Sequence, residues 1–306
     1  MATTDATGSQ ARNRRNGVSA AAPAARPSRV ATNGGKAFNR ITAVVLVVFA
    51  VIWLLPSLWA IKTSFTSNAV SALGTQAILE DVNPTLASYS ALLGGGDLWN
   101  WYLASFITST LSALLVVVFA SMAAFAISRM RFRGRNVVFV LMLAGIMVPA
   151  DVLIIPIFQM LNTVGLLNTY WAVIFPQVSS VIALFVFKQF FDGLPKELEE
   201  AARLDGASNW RIYRSVVMPL SRPVLSAMAI VTFVGVWNNL ILPLFVLSNP
   251  DLMTIPVGLA TVQGSFGQRF SDIQASTILG ALPLVILFLI FQRRIVEGVA
   301  GTGLKG

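Results

Sequence analysis

The sequence predicts an all-α membrane protein, a polytopic bundle of six transmembrane helices with both termini on the cytoplasmic side. Three observations predict it. The 306 residues are 56% hydrophobic and only 11% charged, where a soluble domain carries about 25% charged. Mean hydropathy is +0.73. A soluble chain with so few charges could not cover its own surface. The second observation is a set of six apolar runs, each near the roughly 20 residues needed to cross a bilayer. The third is charge placement. Of 22 Lys and Arg, 20 fall in segments that the six spans put on one side, which is the positive-inside pattern.

Residues 1–40 come first. They are rich in Ala, Ser, Thr, Asn, Gly and Arg, with too little apolar surface to offset the entropy of ordering. A disordered cytoplasmic tail is expected there, and a transmembrane domain over residues 41–306. The spans run over residues 41–62, 103–128, 137–161, 170–190, 224–247 and 275–291. The first is too long, and its basic leader too extended, for a signal peptide. Trp99, Trp101 and Tyr102 precede the second span, where an aromatic belt at the outer interface belongs. Arg129, Arg131, Arg133 and Arg135 follow it and read as topological charge.

The connection over about residues 192–222 is long for a bundle, whose helix connections usually take about 2–8 residues. It encodes structure of its own. Pro195 suits a first helical turn. Glu197, Glu199 and Glu200 lie at the positive end of the dipole. Leu198, Ala201 and Ala202 are spaced to share a face. Gly206 can adopt positive φ and end the helix. Ser208 can cap a second helix through Val217, and Pro219 marks the turn back. The result is an elbow outside the bilayer with a small-residue face edged by acids, suited to a groove on a partner. An interfacial helix on lipid would favour Lys and Arg on its polar face instead.

Transport requires polar groups at membrane depth, where an ionisable residue is a functional candidate. Asp151 is the only one. Counted at 1.5 Å per residue, Asp151, Gln177 and Asn238 fall at about 20–24 Å from the inside. Pro149, Pro156, Pro176 and Pro243 cluster near that level, and proline-freed carbonyls are tolerated only against protein or a wet cavity. Asp151, Gln177, Trp237, Asn238 and Asn239 are therefore a candidate solute pathway, since amides and an aromatic face suit hydroxyl-rich ligands. The alternative is that they hold helices together by hydrogen bonds. Ser109 and Ser112 read as packing residues.

The chain contains no His and no Cys. That removes disulfides, thiolate metal sites, histidine general bases and a Ser-His-Asp triad. No catalytic constellation remains, and no G-x-x-x-x-G-K-[ST] loop exists. No metal or cofactor is expected on this chain.

Glu200-Ala201-Ala202, Gly206, Val216 and Met218-Pro219 resemble the EAA motif of ATP-binding-cassette (ABC) importer permeases. The family usually has Ile and Leu at the positions of Val216 and Met218. Arg129 to Arg135 resemble the basic loop of carbohydrate-type permeases. Val236-Trp237-Asn238-Asn239 to Pro243-Leu244 resemble their fifth-span segment, which often has an acid where Asn239 stands. Ile255-Pro256-Val257-Gly258-Leu259 resemble their outer loop, and Gly303-Leu304-Lys305-Gly306 their C-terminus. The resemblance spans most of residues 41–306 and is to the maltose-type, MalG-like subunit.

It implies a sugar or oligosaccharide permease of the bacterial inner membrane, with alternating access as its mechanism. The implied partners are a second homologous permease, a dimeric ATPase carrying ATP and Mg²⁺, and an extracytoplasmic solute-binding protein. Glu200, Ala201, Ala202, Asp205, Gly206 and Pro219 are the implied ATPase-coupling residues. Two other readings stand beside it: an importer permease for another polar solute, such as a glycerol phosphate or polyol, and an ion-coupled secondary transporter. The latter class tends to show more buried carboxylates and inverted repeats.

Overall fold

The structure, a computed structural model, describes residues 35–68, 84–95, 97–266 and 269–303. Most of the expected tail, residues 1–34, lies outside the described residues, as do residues 304–306. Residues 35–40 belong to the first helix, α1 (Gly35–Ser64). The expected tail is therefore shorter at its inner end, because extending a helix costs little once an apolar run has nucleated it.

The chain divides into two units, Met1–Leu55 and Pro56–Gly306. The described part of the first unit is the apolar rod of α1, with Phe38 through Leu55 presenting exposed Val, Leu, Ile and aromatic side chains. An α-helix satisfies its own backbone, so such a rod can stand in hydrocarbon. The division falls at Pro56, the proline inside α1.

The second unit is built around one long helix. After α2 (Ala87–Gly94), α3 runs from Asp97 to Arg129. Its buried stripe is rich in small residues, among them Ala104, Ser105, Ser109, Ser112, Ala113, Ala120, Ser121 and Ala124, with Leu98 and Trp101 at one end and Phe125 and Ile127 at the other. Small side chains let helix backbones approach closely where lipid offers no hydrophobic drive. Ser109 and Ser112 are fully buried on this face without hydrogen-bond partners, in keeping with packing.

Two of the middle spans are broken within their expected limits. The third consists of α4 (Arg135–Gly145) and a second half, Ala150–Thr163, bent 92° from it. That half is a 3₁₀ turn, Ala150–Leu153, followed by α5 (Ile154–Thr163). The fourth consists of α6 (Tyr170–Val178) and α7 (Val181–Asp192), bent 42°. Beyond it lie α8 (Glu197–Leu204) and α9 (Asn209–Leu220), which meets α10 (Arg222–Trp237) at 79°. The expected fifth span is interrupted too, since α10 ends at Trp237 and α11 covers Ile241–Val246. Pro149 explains the first break, since proline removes a helical donor and clashes with the carbonyl four residues back, here that of Gly145 at the end of α4. Pro176 lies inside α6, and the second break follows it at Ser179 and Ser180. The chain closes with α12 (Ile255–Phe266) and α13 (Phe270–Gly303).

α3 packs against α6, α7 and α10, and α10 also packs against α13. Among the described residues, three helices are long and apolar enough to cross a membrane singly, and up to six spans result if each bent pair counts as one. Among the described residues no strand occurs.

The expected aromatic belt resolves differently. Trp99 is exposed, but Trp101 is buried and its indole N–H donates to the Pro250 carbonyl at 2.9 Å. The Tyr102 hydroxyl donates to Leu279 O at 2.6 Å. The expected outer loop at Ile255–Leu259 is helical, as the start of α12. It crosses α3 so closely that a Cβ on Gly258 would lie 2.1 Å from Trp101 Cδ2. The backbone N–H of Ile255 donates to Ser105 Oγ at 2.8 Å.

Candidate functional site

The elbow forms as its sequence dictates and is locked by contacts that local sequence does not reveal. α8 starts with Glu197, Glu199 and Glu200 in its first turn and Arg203 in its last, which complements the dipole at both ends. It ends in a Schellman motif. Ala207 N–H donates to Ala202 O and Gly206 N–H to Arg203 O, each at 3.0 Å. Gly206 takes φ +77° there, a conformation that costs little only without a Cβ. Ser208 then caps α9, its Oγ accepting from Arg211 N–H at 3.3 Å.

α9 reaches Leu220, beyond the expected Val217, and contains a π-helical turn at Tyr213–Val217. Pro219 lies just past this widened turn, where the looser spacing accommodates its missing donor. The chain turns back at Ser221, whose Oγ donates to Val217 O at 2.7 Å.

The elbow has two faces. Inward, Ile212, Tyr213 and Val217 join a core with Phe125, Phe187 and Phe191, and Ala202 and Ala207 pack against it. The Tyr213 hydroxyl shares a 2.8 Å hydrogen bond with Ser121 of α3. Outward, Glu200, Ala201, Asp205 and Gly206 are exposed, with Leu198, Trp210 and the 90% exposed Leu204. Leu198 and Ala201 thus share the outer face, while Ala202 belongs to the inner one. The sequence pattern had placed all three together. Ala202 turns inward because it is three residues from Glu199, which is drawn in by charge.

That charge contact is the main feature sequence reading missed. Arg129, at the end of α3, holds Glu199 Oε1 at 3.0 Å from its Nε, with side chains only 4% and 8% exposed. The N–H is not aligned on that oxygen, so the contact is Coulombic. Arg129 Nη2 also donates to the carbonyls of Phe191 and of Leu194, the latter at 2.9 Å. Beside it, Asp192 accepts from Ser128 Oγ at 2.5 Å and from Lys188 at 2.6 Å. Arg129, expected only as topological charge, is therefore a positioning residue. Its only local sequence signal was its place directly after the second apolar span.

The candidate pathway residues do not form one cluster of contacts. Asp151 is exposed in the 3₁₀ turn at the break between α4 and α5. Gln177 is half-buried in α6, just before its break with α7. Asn238 is exposed after α10, its Nδ2 donating to Val234 O at 2.9 Å, and Asn239 is half-buried. Trp237 differs from them. It is 3% exposed, its indole N–H donates to Gly280 O at 3.2 Å, and it stacks on Phe233. Its indole packs helices together. What Asp151, Gln177, Asn238 and Asn239 share is a place at or next to a helix interruption.

Asn168 is a second residue that sequence reading missed. At φ +57°, its Oδ1 accepts from Ser248 N–H at 2.6 Å and Asn249 N–H at 3.1 Å. It ties the α5–α6 connection to the end of α11. Asn tolerates left-handed backbone better than most residues, which was the one available signal.

Comparison with known proteins decides what this arrangement is. Residues 116–296, from mid-α3 through the elbow into α13, match the family described as binding-protein-dependent transport system inner membrane component. The chain belongs to this family. It is a permease of the ABC importer class, a transport subunit and not an enzyme.

The permease is 37% identical over 259 residues to the arabinooligosaccharides transport system permease protein AraQ of Halalkalibacterium halodurans, covering 84% of this chain and 93% of that one. It is 33% identical to the trehalose/maltose transport system permease protein MalG of Thermococcus litoralis, over 85% of this chain and 94% of the relative. A crystal structure of a bacterial ABC transporter involved in import of the acidic polysaccharide alginate shares its fold. That likeness has a TM-score of 0.73 at 21% identity, over 86% of this chain and 98% of the other. The permease is a multi-helix membrane component, as its apolar helices require.

Proposed function

We propose that this permease translocates a sugar or oligosaccharide across the cytoplasmic membrane, driven by a separate ATPase that docks on the α8–α9 elbow. It spans the bilayer six times with both termini inside. One observation carries the coupling role. The elbow presents Glu200, Ala201, Leu204 and Asp205 outward while Arg129 and Glu199 lock it to α3 from behind. A surface built this way can transmit displacement, because a push on its outer face is carried by a buried ion pair into α3, the helix against which α6, α7 and α10 pack. Glu200 and Asp205 supply acidic contacts for the ATPase, and Gly206 holds the angle. The permease works with a second permease subunit and an extracytoplasmic binding protein. ATP and Mg²⁺ reside on the ATPase.

The sugar assignment draws support from the relatives, whose names specify arabinooligosaccharides, trehalose and maltose, and diacetylchitobiose. Asp151, Gln177, Asn238 and Asn239 line the route in this reading, at interrupted spans of the kind that form transporter binding sites. Trp237 braces that layer from within the core.

Gly206→Asp tests the coupling. It is expected to reduce ATPase co-purification or to leave ATP hydrolysis running without uptake in reconstituted vesicles. Normal ATP-dependent uptake by this variant would refute the docking role. A sugar panel in the same vesicles names the cargo, and transport of polyols or glycerol phosphates alone would overturn the sugar assignment.

A further inference from the structure

Six basic side chains converge on one cavity of about 850 Å³ beside the elbow. They come from three segments: the 129–135 connection, the end of α7 with its following turn, and α8. Two are neutralised within the chain, Arg129 by Glu199 and Lys188 by Asp192. Arg131, Lys196 and Arg203 have no ion pair among the described residues, and Arg135 only donates to Met130 O at 3.4 Å. Against these four stands one unpaired acid, Glu200, in the same cavity. The positive-inside pattern accounts for basic residues on this side of the membrane. It does not account for their meeting from separate segments in one concave site.

The surroundings specify the ligand. Met130 and Phe139 give the cavity apolar walls. A second cavity of about 740 Å³ shares Arg131 and Arg135 and reaches Val137. From there Val137, Val140 and Leu141 continue an exposed apolar strip along α4. Cationic side chains at the foot of an exposed apolar strip match a molecule with an anionic head and hydrocarbon tails. Basic pockets between helices on the cytoplasmic side bind anionic headgroups by this logic.

We propose that this cavity binds the headgroup of an anionic phospholipid, with its acyl chains along the α4 strip. The phosphate is held by Arg131 and Arg135 and reached by Lys196, which precedes α8, and by Arg203 of α8. The lipid thereby bridges the 129–135 connection to the coupling helix. This rests on the cytoplasmic placement of the elbow in the reading above.

The test uses the full chain purified in detergent with the subunits that co-purify, read by native mass spectrometry. Phosphatidylglycerol is expected to remain bound where phosphatidylcholine does not. Each charge removed near a membrane surface is worth about fivefold in affinity. Arg131→Gln with Arg135→Gln should thus weaken phosphatidylglycerol retention roughly 30-fold, and Arg131→Lys with Arg135→Lys should restore most of it. Equal retention of both lipids, or no effect of the glutamine pair, would overturn the proposal. So would failure of the lysine pair to restore retention. Full displacement of the lipid by inorganic phosphate would make this a soluble-anion site. Loss of the ATPase from the glutamine pair with lipid retention intact would make it an ATPase contact.

The chain has no cysteine, so Arg131→Cys reports topology separately. Labelling by an impermeant maleimide only in inside-out vesicles is expected. Labelling from the outside would overturn the topological reading together with the lipid site. Failed lipid retention with correct labelling would overturn the lipid site alone.

Discussion

The elbow between α7 and α10 and the helix breaks at Asp151, Gln177 and Asn238 are both polar interruptions of an apolar chain. They are held in opposite ways. In the elbow each polar group near the core has a partner within the chain: Glu199 has Arg129, Asp192 has Ser128 and Lys188, and Tyr213 has Ser121. At the breaks, Asp151 and Gln177 have no side-chain partner among the described residues, and Asn238 reaches only its own helix. A surface that must push on a partner needs rigidity, and buried paired charges tolerate little displacement. A route for solute needs polar groups left open to exchange partners. The contrast teaches that satisfaction of polar groups separates the two regions where polarity alone does not, in line with the two roles proposed for them.

The largest effect should come from unpairing the lock. Arg129→Met leaves Glu199 buried and uncompensated, at a cost of about 3–5 kcal/mol. Thermal unfolding in detergent and ATPase co-purification should both register the loss. Adding Glu199→Met should recover most of the stability, since an apolar pair of similar volume is often neutral. If the single variant were no worse than the double, the elbow would not be locked by this pair, and the contrast would fail.

The next effect belongs to the other end of α3, which has a steric lock in place of an ionic one. Gly258→Ala puts a Cβ 2.1 Å from the Trp101 ring, and overpacking of this kind costs about 1–3 kcal/mol. The expected reading is a lower unfolding temperature with ATPase binding retained. Equal loss of the ATPase would mean that the two ends are not separable.

A smaller change follows at the turn itself. Gly206→Ala forces a side chain into φ +77° and should cost about 1–2 kcal/mol, while Gly206→Asn should cost less. Equal stability for both variants would show that the angle is not held by backbone conformation.

The smallest stability effect is expected at the breaks. Asp151→Asn, or Asn238→Leu with Asn239→Leu, should shift unfolding by no more than about 0.5 kcal/mol yet lower uptake several-fold. Unchanged uptake and solute profile would remove these residues from the pathway. A large stability loss would make them helix glue.

The legibility of the chain follows the range of the interactions involved. The Gly206 stop, the Ser208 cap and the acidic first turn of α8 depend on neighbours within five residues, so they could be read directly. Apolar run length and basic-residue placement are likewise local sums, and they established the class. The breaks were half legible. Pro149 stands at its break, but Pro176 lies inside α6 and Pro56 and Pro283 lie inside continuous helices, so a proline in an apolar run does not by itself locate an interruption.

By itself, then, the sequence determined that this chain is a helical membrane protein, where its apolar runs lie, and that an acid-edged elbow joins the fourth and fifth. Only the tertiary structure decided that Arg129 is a clamp, that Ala202 faces inward while Ala201 faces out, that Trp237 is core, and that Arg131, Arg135, Lys196 and Arg203 share a cavity. The physical reason is that these roles depend on which distant side chain completes a charge, a donor or a void. No periodicity along a helix records that pairing.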